Sequence, residues 1–163
     1  MKAWLTHIAA TALILSVGVA QAQDGPKTTM GPVIPSFGPV VAPPPDSYNL
    51  DPDTHYKASI DIGKSAEFPG ELNPQLVSVA RFLNMSAQYG IPSENIEFAI
   101  VVHGEGANDL LTDEAYEKRF YEANPNTELL KELNAAGVMF YLCASASVFR
   151  DMAADDFCLT VTM

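Results

Sequence analysis

From Tyr56 onward the chain consists of short apolar runs separated by amphipathic stretches of helical length, and this alternation constrains the fold more than any other feature. Over 56–62 the apolar Tyr56, Ala58, Ile60 and Ile62 alternate with Lys57, Ser59 and Asp61, which predicts a strand with one wetter face. The runs 96–102 and 138–142 are almost continuously apolar, the pattern of strands buried on both faces of a parallel sheet. Between the first two strands, Asn73 is placed to cap a helix with Pro74 at its first position, and Leu76, Val79, Ala80 and Leu83 recur at helical spacing. A second helical stretch is expected over 107–121. A third, carrying Leu129, Leu130 and Leu133, follows the Asn124-Pro125-Asn126 break and closes at Gly137. The last stretch, 156–163, reads as one more buried strand, with Cys158 in the core. The expected class is therefore α/β: a small, doubly wound, mostly parallel sheet with helices on both faces. Its function belongs at the C-terminal ends of the strands.

The N-terminal third is of a different kind. Lys2, an apolar run over 3–19 and Ala20-Gln21-Ala22 form the charged, hydrophobic and cleavage regions of a secretory signal over 1–22. The alternative, a membrane anchor, needs about 20 apolar residues, more than this run supplies. No later segment is long or apolar enough to span, so the processed chain is expected to be periplasmic or secreted, with no membrane contact. Residues 23–54 hold most of the prolines, including Pro43-Pro44-Pro45, and read as an extended, poorly packed arm or linker. The domain proper is 55–163.

Charge narrows the partners. The chain carries 9 Lys and Arg against 20 Asp and Glu, a formal charge of −11. A nucleic-acid partner is excluded because phosphate contacts need basic clusters. The same acidity suits a solvated surface.

The candidate chemistry is that of sulfur. Cys143 ends the 138–142 strand and is followed by the small residues Ala144-Ser145-Ala146-Ser147 and a helical stretch, a position where unpaired backbone N–H groups favour a thiolate. His103 follows the 96–102 strand and reaches the same edge of the sheet, so the two form the candidate site. Cys158 invites a disulfide with Cys143 in an oxidising compartment, but a sheet that puts the two sulfurs at opposite edges exceeds the Cα separation of about 7 Å that a bridge allows. Glu105 reads as solvated. Asp51, Asp53 and His55 form a turn and lack the spacing of a calcium loop. No zinc spacing, serine-nucleophile elbow or phosphate loop is present, so no metal or cofactor is expected.

Val101-Val102-His103-Gly104, a helix, Asn124-Pro125-Asn126 with Leu129-Leu130, and Ala136-Gly137-Val138 leading into Tyr141-Leu142-Cys143 together resemble the DsrE/DsrF-like sulfur-relay family, in particular its exported single-domain members. The resemblance implies an α/β layer structure, trimers or hexamers, and a persulfide carried on the family cysteine. Cys143 matches that cysteine and His103 the histidine after the second long strand. Two departures stand out. The family's Cys-Gly-x-Ser is here Cys143-Ala144-Ser145-Ala146, which narrows the backbone conformations beside the sulfur. The family also continues into a final helix where this sequence ends within its last expected strand. One face of the sheet would then be left to the proline-rich arm or to another subunit, unless the sequence is truncated.

Three functions from different classes follow: a periplasmic sulfur carrier that exchanges sulfur with a partner thiol protein or a small sulfur compound, a non-enzymatic oligomeric scaffold with a vestigial cysteine, and a thiol-dependent enzyme with a closed pocket around Cys143 and His103. The carrier, as a homo-oligomer, is the principal expectation.

Overall fold

Side-chain alternation decides how the strands of this domain pack. The computed structural model describes residues 25, 27–44 and 50–163; the leader expected over 1–22 lies outside them. The described elements begin with β1 (Thr28–Thr29) and β2 (Val40–Val41), a small antiparallel pair, and continue with β3 (Tyr56–Ile62) and α1 (Pro74–Gln88). Then come β4 (Ile96–Val102), α2 (Asp113–Phe120), α3 (Thr127–Ala135), β5 (Met139–Leu142) and the short α4 (Ala144–Phe149). β3, β4 and β5 form a parallel sheet in that order, with Ile62 opposite Val102 and Val102 opposite Leu142. The α/β class and the parallel sheet are those the sequence pattern predicts.

One face of the sheet carries the core. Ile62, Phe98, Ile100, Val102, Phe140 and Leu142 are buried in one cluster with Leu76, Val79 and Leu83 of α1 and Leu129, Leu130 and Leu133 of α3. The other face shows Lys57, Ser59, Asp61, Glu97, Val101 and Tyr141 to solvent. So β4, expected to be buried on both faces, buries one. Glu97 marks the wet side, and Val101 at 39% exposure is the apolar residue that masks the alternation. Among the described residues the helical layer built by α1 and α3 lies on the buried side, where helices on both faces were expected.

Local chemistry places the helices. Asn73 caps α1, its side chain accepting from the Gln75 N–H, with Pro74 at the first position. The helix expected over 107–121 is instead two pieces: a 3-10 segment, Gly104–Leu110, and α2, which starts when the Thr112 hydroxyl accepts from the Ala115 N–H. The break is set by Leu111, which bridges to Phe157, while the Thr112 N–H donates to the Asp156 carbonyl.

The expected C-terminal strand does not form. Residues 157–163 make two isolated bridges, Leu111 to Phe157 and Tyr141 to Thr162, and Thr162 exchanges hydrogen bonds with Phe140 and Leu142 at the outer edge of β5. This segment has to serve two neighbours, the Leu110–Thr112 turn and β5, so it cannot stay in register with either. Cys158 accordingly lies outside any strand and is only partly buried.

The proline-rich arm is docked. Asn84, fully buried on α1, accepts from the Val33 and Ile34 N–H groups and donates to the carbonyls of Ile34, Phe37 and Gly38. Ile34 and Val40 are buried beneath it. A polar residue inside a helix therefore supplies what composition could not reveal, a seat for the arm on α1. The open sheet face stays uncovered by the described arm.

Candidate functional site

The parallel register brings the C-terminal ends of β4 and β5 level, so the next residues, His103 and Cys143, emerge side by side at one edge of the sheet. The Cys143 N–H donates to the Val102 carbonyl at 2.9 Å, extending the ladder by one step. Both residues line one cleft of about 420 Å³, together with Ser145, Phe149 and Arg150. Cys143 is an exposed free thiol and takes the capping position of α4. That helix has only six residues, and its Ser147 hydroxyl donates back to the Ala144 carbonyl.

His103 is oriented from a third strand. Its Nε2 lies 2.8 Å from Asp61 Oδ1 of β3, on the wet face of the sheet. No hydrogen bond joins His103 to Cys143 among the described residues. The ring also rests over Gly63, where a Cβ would come within 2.7 Å of His103 Cε1. Gly104 turns the chain away with φ +51°, and the Glu105 N–H donates to the Gly63 carbonyl at 3.1 Å. Asp61, Gly63 and Gly104 thus position the ring, and of these only Gly104 belongs to a motif visible in the sequence. The signal available for Asp61 was its place as the last polar residue of an alternating strand.

The remaining candidates lie elsewhere. Glu105 is exposed, as expected. Cys158 is also a free thiol, and burial pushes it up to about 11, leaving it protonated at neutral pH. Asp51 accepts from the Asp53 N–H and the Thr54 hydroxyl within a turn, and these bonds hold its carboxyl below the usual range.

Behind the site, the 104–110 segment is anchored by a buried polar cluster. Asn73 Nδ2 donates to Asp109 Oδ2 at 2.6 Å, Asn124 Nδ2 donates to the Asp109 and Leu111 carbonyls, and Asn126 Oδ1 accepts from the Asn73 N–H. Asp109 is 2% exposed, and burial pushes its carboxyl up to about 6 against the hydrogen bonds of Asn73 and Ser65. Tyr116, beside it, is pushed up to about 12 by burial and by the charges of Asp109 and Glu122.

Chemically, the arrangement offers one accessible thiol, one oriented imidazole and one guanidinium in a shallow cleft. No described helix is long and apolar enough to cross a membrane. No curated protein and no solved structure matches the chain. The model of the DsrE/DsrF-like family matches residues 60–163, a span that contains all three strands' C-terminal ends and the whole cleft. The chain belongs to the DsrE/DsrF-like family.

Proposed function

We propose that this protein is a sulfur carrier in which the Cys143 thiolate accepts a sulfane sulfur as a persulfide and passes it to the thiol of a partner protein or a small sulfur compound. The observation that carries this reading is the exposure of Cys143 in a cleft it shares with His103, at the strand edge where parallel α/β sheets present their reactive groups. Membership in a family associated with sulfur relay supports it. His103, oriented by Asp61, shares the cleft with the thiol and can carry its proton. The test is to load the protein with polysulfide, locate the added sulfur by peptide mass, and then ask whether a reduced thiol removes it. Sulfur located on Cys158, or none at all, overturns the reading.

The carrier acts after export, as a homo-oligomer, a trimer or a hexamer. The wet sheet face with half-exposed Val101 and Tyr141, and the exposed Val148 and Phe149 of α4, are the surfaces that support assembly. Light scattering that returns a monomer mass contradicts this, as does a mature chain that retains residues 1–22.

The same exposed surfaces favour a second reading, an oligomeric scaffold in which the cysteine does no work. It requires Cys143→Ala to behave as the parent protein in every assay of partner binding.

A further inference from the structure

A second cleft adjoins the first. It also measures about 420 Å³, within the usual range for small-ligand sites, and it shares Arg150 with the Cys143 cleft. The strand-end loop runs from one to the other, Gly104 lining the cysteine side and Glu105 the far side. Tyr116 and Phe120, with ring centroids 4.5 Å apart, supply an aromatic wall.

Its polar lining is built and unspent. Asn108 lines the cleft, where its carboxamide atoms stay open to solvent and make no hydrogen bond among the described residues. Those atoms are therefore free to bond a ligand that enters the cleft. Arg150 makes no side-chain hydrogen bond or ion pair among the described residues either, although Glu67 and Glu105 line the same cleft. Arg119 is held in place by donating to the carbonyls of Arg150 and Asp151. Two of the chain's three arginines thus meet here in a protein of formal charge −11. Guanidinium groups, unpaired carboxylates and an amide in one lining match a ligand that carries both a carboxylate and an ammonium group.

We propose that this second cleft binds the amino-acid portion of a low-molecular-mass thiol or its persulfide, with the carboxylate at Arg150 and the sulfur directed to Cys143 in the adjoining cleft. The inference rests on the sulfur-carrier reading and names its donor. In the transfer, the Cys143 thiolate attacks the terminal sulfur of the donor R–S–SH. A new S–S bond forms at Cys143, the donor's S–S bond breaks, and its electron pair leaves with the thiolate R–S⁻. The moved sulfur keeps its proton and its oxidation level, so no oxidant or reductant is consumed.

Binding and transfer are measured separately. S-methyl-L-cysteine, which cannot react, is titrated calorimetrically into the Cys143→Ser protein, alongside its methyl ester, which lacks the carboxylate. Saturable binding is expected, weakened at least about tenfold by Arg150→Gln and by Asn108→Ala, with the ester as weak on the parent as the free acid is on Arg150→Gln. Arg150 is partly exposed, so its variant should melt as the parent does; Asn108→Ser replaces Asn108→Ala if the latter fails to fold. With Cys143 intact, Arg150→Gln should slow loading from L-cysteine persulfide at least about tenfold more than it slows loading from the persulfide of 2-mercaptoethanol, whatever its effect on both through the shared cleft. Absence of saturable binding, or equal effects of Arg150→Gln on both donors, overturns the proposal. If S-methyl-L-cysteine binds as expected but no donor places sulfur on Cys143, the binding site stands and the carrier reading falls.

Discussion

His103 Nε2 lies 2.8 Å from Asp61 Oδ1, so the imidazole that shares a cleft with Cys143 is held by the edge strand β3 and not by the cysteine itself. The pair is solvent-exposed, and its value is orientation more than stability. Held this way, the ring lines the cleft that contains Cys143.

The first prediction concerns that relationship. His103→Ala should slow iodoacetamide alkylation of Cys143 severalfold near pH 7, because the imidazole shares the cleft with the thiol and can take up its proton. Asp61→Asn should fall between the variant and the parent, and neither should alter the melting temperature by more than a few degrees. Superimposable pH profiles of the alkylation rate in all three proteins would make His103 a plain loop residue.

Asp109 makes a signed prediction about pH. Its carboxyl titrates near 6 in the folded chain against an ordinary 3.8, so between those values the folded state holds a proton that the unfolded state has lost. The stability this group contributes is complete below about pH 4 and is lost as pH rises through 6, a swing on the order of 3 kcal/mol. Asp109→Asn keeps an acceptor for Asn73 and removes the titration. The stability of the variant relative to the parent should therefore rise between pH 4 and pH 7 in urea unfolding, and a constant difference would contradict this.

Asn84 makes a prediction about the arm. Asn84→Ala strips partners from the buried backbone groups of Ile34 and Gly38 and from the part-buried Val33 N–H at once, which should cost at least about 2 kcal/mol. The arm should then be cut by a nonspecific protease within 27–44 while 56–163 survives. An arm equally resistant in parent and variant would show that Ile34 and Val40 seat it without the asparagine.

Tyr121 ends α2 in the left-handed region, with φ 64°, and is 88% exposed. A side chain gains nothing there to offset its backbone strain. Tyr121→Gly should stabilise the protein by about 0.5 to 1 kcal/mol, seen as a melting temperature higher by a few degrees. A lower one would mean that the ring has a partner in an assembled form.

Much of this fold is legible in the sequence because its signals are local. The strand bounds 56–62 and 96–102 follow from alternation and β-branched runs, and Asn73-Pro74 marks the start of α1 by cap chemistry alone. What escaped depends on contacts distant in sequence. The break at Leu111 exists because Phe157 bridges to it, the C-terminal strand dissolves because that same segment also serves β5, and the arm docks because one asparagine of α1 faces it. The shared sheet edge of Cys143 and His103 was legible from their places after two apolar strand runs. Asp61, Gly63 and Arg150 were not, since each acts only through the strand pairing and the loop that bring it to the cleft.

The central claim is that Cys143 carries sulfur, and intact-mass spectrometry tests it most directly. After exposure to polysulfide and removal of excess reagent, the parent protein should gain the mass of one sulfur atom, lose it on treatment with a reduced thiol, and show no gain in Cys143→Ser. A gain that persists undiminished in Cys143→Ser would contradict the account.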